Sequence, residues 1–156
     1  MKTILDMPLH LTAADSQKNI PVPFFLSEDA QTLYLRFSYA PKTPSDTAAQ
    51  LHMIKENIER DAPGAWGAGY DPQAFLPLKN LLTLSLDDPN GFRGAAHRQD
   101  PQQEHEIGEM FASPGFYPGK VMKGAWRLTV SVHALVTDAC EAHLLIATKG
   151  GAADEA

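Results

Sequence analysis

Several stretches of the chain alternate apolar and polar residues with a period of two. In 32–39, Leu33, Leu35, Phe37 and Tyr39 fall on one face, with Tyr34, Arg36 and Ser38 on the other. In 81–87, Leu82, Leu84 and Leu86 oppose Thr83 and Ser85. In 126–136, Trp126, Leu128, Val130, Val132, Ala134 and Val136 oppose Arg127, Thr129, Ser131 and His133. Residues 142–148 read as the next strand, after a short turn at 137–140. Weaker alternation marks 4–12, 22–26 and 106–111. Period-two alternation is the signature of half-buried antiparallel sheet.

One segment follows a different period. In 48–60, Leu51, Ile54 and Ile58 recur at helical spacing. Thr47 and Gln50 fit a capping box, and Pro63-Gly64 supplies a stop, so a helix over about 47–61 is predicted. From Ala62 to Lys79 the chain is rich in Gly, Pro and aromatic residues, including Trp66, Tyr70 and Phe75. It reads as a long loop with its own packing. Strands without βαβ alternation, plus one helical insertion, predict an all-β fold: an antiparallel β-sandwich of jelly-roll type. The domain is expected to span 1–148, with 149–156 as a flexible C-terminal tail.

At 156 residues the chain suits a single domain able to bury a sizeable core without disulfides. The 13 Lys and Arg against 19 Asp and Glu give a formal charge of -6 with no basic stripe, which argues against a nucleic-acid partner. No run approaches the ~20 apolar residues of a membrane span. The first ten residues lack a basic stretch followed by an apolar run, so a cytoplasmic location is expected. Cys140 is the sole cysteine and has Asp138 and Glu141 nearby, which disfavour a thiolate.

The candidate chemistry is sparse. His105-Glu106-Ile107-Gly108-Glu109 starts like a zincin box but lacks the second histidine. His133 and His143 lie on successive strands that are expected to pair, which in some registers makes them neighbours. Two histidines are half of a tetrahedral zinc site, and Asp87, Asp88 and Asn90 fall short of a calcium shell. No metal and no cofactor is therefore predicted. There is no nucleophile elbow and no phosphate loop, so no catalytic residue is assigned.

Four pieces carry a family resemblance. They are 20–24 followed by 33–39; Asn80 to Asp87 with Asp88-Pro89-Asn90-Gly91-Phe92-Arg93-Gly94; Ala112-Ser113-Pro114-Gly115-Phe116-Tyr117-Pro118-Gly119; and Gly124-Ala125-Trp126-Arg127-Leu128. Together they resemble the β-sandwich domain that precedes the catalytic domain in CehA/McbA-type PHP metallohydrolases. More distantly they are similar to pre-peptidase C-terminal domains, which are small jelly rolls. The hydrolase half of the first family carries a His-x-His box, and none occurs here. The resemblance thus implies an accessory sandwich standing alone, without the hydrolase activity.

The leading expectation is a noncatalytic module that presents loops at one end to a carbohydrate, a small anion or a protein partner. The candidate ligand-binding residues are Trp66 and Tyr70 in one loop and Phe92, Arg93, His97 and Arg98 in another. Arg93 has a second reading, in which it fastens its own loop through backbone carbonyls or pairs with Asp87 or Asp88. Two further readings are a small hydrolase, or accessory subunit of a metal-dependent one, and a structural homodimer joined at exposed strand edges.

Overall fold

The computed structural model describes residues 1–64, 69 and 71–151. The strands are β1 (Lys2–Thr12), β2 (Asn19–Leu26), β3 (Thr32–Ala40), β4 (Leu81–Asp88), β5 (Gly91–Ala96), β6 (Gln102–Gly108), β7 (Gly124–Ala134) and β8 (Ala139–Lys149). They form two four-stranded antiparallel sheets, in the orders β1-β8-β3-β6 and β2-β7-β4-β5. Strands from the two halves of the chain pair one-to-one: β1 with β8, β2 with β7, β3 with β6, β4 with β5. That is a long folded hairpin rolled into a sandwich, the jelly-roll topology.

The alternation works as expected. Leu33, Leu35 and Phe37 of β3 and Leu144 and Ile146 of β8 face Leu82, Leu84 and Leu86 of β4 and Trp126, Leu128 and Val130 of β7 in one core. Each such side chain contributes about 1.5–3 kcal/mol by leaving water. The alternation in β7 stops at Ala134, and Leu135 turns inward instead. The chain there leaves one sheet for the other.

Residues 47–61 form a single α-helix, α1 (Thr47–Asp61), between β3 and β4. Its cap is Asp46 rather than Thr47. The Asp46 carboxylate accepts from the backbone N–H of Ala48 at 2.9 Å and Ala49 at 3.2 Å. A carboxylate satisfies these orphan donors and also complements the helix dipole. Gln50 is buried instead of completing a capping box. Its side chain donates to Pro44 O and accepts from Leu78 N, both at 2.9 Å, which ties the helix to the chain entering β4. Among the described residues no helix is long and apolar enough to cross a membrane.

Two differences from the sequence expectation matter for the site. The region 92–98, expected as a loop, contains β5. With Gly91, Gly94, Ala95 and Ala96 it lacks the large alternating residues that mark a strand. At the other limit, Lys149 closes β8 and Gly151 is buried, so the segment expected as a tail begins inside the fold. Residues 152–156 lie outside the described residues.

All four sheet edges are obstructed. Pro21 and Pro23 remove backbone donors from β2, and Pro8 removes one from β1. The edges of β5 and β6 are covered by residues 111–117, a strap that bonds to both sheets. On β6, Gly108 N donates to Phe111 O at 2.8 Å and Ser113 N to Glu106 O at 2.8 Å. On β5, Ala95 N donates to Gly115 O at 3.0 Å and Tyr117 N to Arg93 O at 3.1 Å. The strap therefore closes one open side of the sandwich.

Candidate functional site

Two of the four sequence pieces singled out above meet at this strap. Asp88 to Gly94 forms the β4–β5 turn and the start of β5, while 112–119 lies across it. Gly94 and Phe116 form an isolated bridge. A Cβ on Gly94 would sit 2.4 Å from Gly115 O, and one on Gly115 would sit 2.3 Å from Ala95 O. Both glycines also have positive φ. Only a residue without a side chain permits this backbone approach.

Arg93 locks the arrangement from inside. It is 4% exposed. Its Nε donates to Tyr117 O at 2.8 Å, one Nη1 hydrogen to Lys120 O and another to Asp88 Oδ2, both at 3.0 Å, and Nη2 to Gly119 O. The guanidinium also lies over the Trp126 ring, 5.5 Å from its centroid. Asp88 uses its other oxygen to cap the turn, accepting from Asn90 N at 2.6 Å and Gly91 N at 3.0 Å. Of the two roles open to Arg93 from sequence, the geometry matches the loop fastener, because its donors go to three backbone carbonyls and to Asp88.

Aromatic side chains stand exposed over this scaffold. Phe92 and Tyr117 are 60% and 55% exposed and meet edge to face at 5.9 Å. Phe25, Met110 and Phe111 are also exposed and belong to the same end of the sandwich, which carries the β2–β3, β4–β5 and β6–β7 connections. We call it the strap end. The long β6–β7 connection is held further by Ala30 N donating to Val121 O at 2.9 Å, Lys123 N to Asp29 Oδ1 at 2.8 Å and Trp126 Nε1 to Met122 O at 2.9 Å.

Of the six residues expected to share one binding end, the four that are described divide between the two ends. Phe92 and Arg93 are at the strap end. His97 and Arg98 follow β5 at the opposite end, which also carries the helical insertion. Trp66 and Tyr70 lie outside the described residues. The single loop expected over 92–98 failed because β5 spans the sandwich and separates its two ends.

The helix end is polar and tightly bonded. Asn80 is fully buried: its amide donates to Pro41 O and Thr137 Oγ1, both at 2.9 Å, and its oxygen accepts from Val136 N at 2.7 Å. Lys42 Nζ donates to Tyr39 Oη and Asn80 O, both at 2.8 Å, and to Gln99 O. Gln103 Nε2 donates to Asp100 O at 2.9 Å and Arg98 O at 3.3 Å. The buried His105 sits 3.0 Å from Gln103 Oε1 through Nε2, leaves Nδ1 without a partner and meets Phe116 edge to face. Burial, and then the Arg98 charge, hold its pKa below the ordinary histidine value.

The remaining histidines are dispersed. β7 and β8 belong to different sheets, so His133 and His143 lie on opposite outer faces rather than side by side. The successive strands do not pair because a jelly roll joins them by a crossing between layers. His143 contacts Asp6, His10 contacts Glu141, and His133 bonds Thr83 Oγ1 at 2.7 Å. In the His105 to Glu109 run the strand sends His105 inward and Glu106 outward. Asp87 pairs with Arg127 at 3.3 Å. Among the described residues no three His, Cys, Asp or Glu side chains converge. Cys140 is buried, and burial first of all pushes its thiol pKa up.

No family model and no curated protein matches the sequence. Among solved structures, a crystallised protein from Sulfurospirillum deleyianum is similar over 92% of this chain and 98% of that one, at 7% identity and a TM-score of 0.33. A likeness at that level carries no argument about either fold or function.

Proposed function

We propose that this domain is a noncatalytic interaction module whose strap end docks a protein partner. The observation that carries this reading is that Phe92 and Tyr117 meet edge to face in exposed positions at the end where Phe25, Met110 and Phe111 are exposed too. Neighbouring exposed apolar groups such as Phe92 and Tyr117, unlike isolated ones, mark interaction surfaces. Aromatic residues and methionine are favoured anchors there. The loops beneath are fastened by Arg93 and by main-chain bonds, so docking costs little ordering entropy. The accessory role implied by the motif resemblance supports the same reading.

The hydrolase alternative has no convergent acids and bases among the described residues to favour it. The edge-paired homodimer is disfavoured by Pro8, Pro21, Pro23 and the strap. The test is a Phe92→Ser, Met110→Ser, Tyr117→Ser variant compared with the unmodified protein in co-purification from native host cells. The module reading expects a distinct protein to co-purify in stoichiometric amount and to be lost from the variant, with the melting temperature moved by only a few degrees. Equal recovery of that protein by both forms would overturn it.

A further inference from the structure

A second surface lies at the edge of the other sheet. Arg36 and Ser38 of β3 point outward and pair in register with Glu104 and Gln102 of β6. Arg98 arrives from the connection that leads into β6. Arg36, Ser38, Arg98, Gln102 and Glu104 line one open groove of about 570 Å³. Among the described residues neither arginine makes an ion pair or a side-chain hydrogen bond. The groove thus holds two guanidiniums against the single carboxylate of Glu104, a net positive charge whose donors are open to an anion.

The loop carrying Arg98 is unusually well fastened. Its three consecutive carbonyls, Arg98 O, Gln99 O and Asp100 O, are each held by a side chain: Gln103 takes the first and third, Lys42 and Tyr39 the second. Gln103 is in turn oriented by His105. The backbone from which Arg98 projects is therefore fixed before any ligand arrives. Glu104, the one acid lining the groove, lies near Tyr34 and, after burial, helps hold the Tyr34 pKa above its ordinary value.

From this juxtaposition we propose that the Arg36–Arg98 groove is an oxyanion-binding site, in which the two guanidinium forks clamp a phosphate or carboxylate group. Planar forks suit both anions bidentately. The Ser38 hydroxyl and the Gln102 amide supply further donors. Glu104 opposes binding, so the site discriminates against densely charged ligands. This surface is separate from the strap end and does not depend on the interaction reading.

The test is titration of the purified full chain with inorganic phosphate and, in a second arm, with succinate, against sodium chloride at matched ionic strength. Backbone amide chemical shifts are the readout. The site predicts saturable shifts confined to residues 36–38 and 98–104 with at least one oxyanion, and the tighter arm identifies the source as phosphate or carboxylate. Arg36→Gln and Arg98→Gln should each weaken binding by at least about tenfold. Arg98→Lys should fall between these variants and the unmodified protein, and Glu104→Gln should tighten binding. Shifts that match those with chloride, fail to saturate with both anions, or persist unchanged in the two Arg→Gln variants would overturn the proposal.

Discussion

Replacing Arg93 with alanine removes the fastener of the strap, and the cost can be worked from its contacts. The Arg93–Asp88 pair has side chains only 5% and 10% exposed. Truncation leaves the Asp88 carboxylate without its cation and strips donors from the carbonyls of Tyr117, Gly119 and Lys120. Breaking a buried pair by removing one partner costs about 3–5 kcal/mol. Water reaching the loosened strap recovers part of this, so the lower half of the range is expected. In a domain of this size that corresponds to a melting temperature lower by roughly 6–15 °C. Urea unfolding followed by circular dichroism gives the free energy. Asp88→Asn keeps the oxygen that caps the turn, so a double-mutant cycle isolates the charge coupling. A loss below about 1 kcal/mol for Arg93→Ala would refute the reasoning, since such a value belongs to a solvated surface pair.

Gly94→Ala should destabilise by about 1–3 kcal/mol, because its Cβ would meet Gly115 O at 2.4 Å and the strap must shift. Hydrogen exchange should rise in the amides of Ala95 and Tyr117, and unchanged exchange would contradict the close approach. His105 makes stability fall in acid. Its folded-state pKa lies below the ordinary 6.5, so below that pH the unfolded chain takes up a proton that the folded chain refuses. Its contribution is complete above pH 6.5 and is lost progressively as pH falls toward the folded-state value. Unfolding of the parent and of His105→Gln at pH 7.5 and 5.0 checks this; an equal acid loss in both would assign the effect to other groups.

What could be read without coordinates depended on the range of the interactions. Strands β3, β4, β7 and β8 announce themselves because Leu33, Leu84, Leu128 and Leu144 each sit in a local alternation that a buried face requires. The helix was legible for the same reason, although Asp46 rather than Thr47 caps it. β5 was hidden because its small residues exist to let the strap approach, a need created by Gly115 some twenty positions away in the chain. The bends at Ser113-Pro114-Gly115 were visible, but their partners on two sheet edges were not. His133 and His143 were misplaced because nothing in the short 135–138 connection distinguishes a hairpin from a crossing between sheets. The loop-fastening reading of Arg93 followed from the acids and carbonyls close to it in the chain, whereas its burial over Trp126 did not. The Arg36–Arg98 groove joins residues from distant segments, so only the paired register of β3 and β6 brings it into view.

The central claim is that the strap end is the working surface. Photo-crosslinking in native host cells tests it most directly, with a photoreactive residue placed at Tyr117 or, as control, at His52 on the exposed side of α1. The account predicts a discrete covalent adduct to a second protein from position 117 and none from position 52. Adduct formation from position 52 alone, or no adduct from position 117 in cells where the protein is folded and abundant, would contradict it.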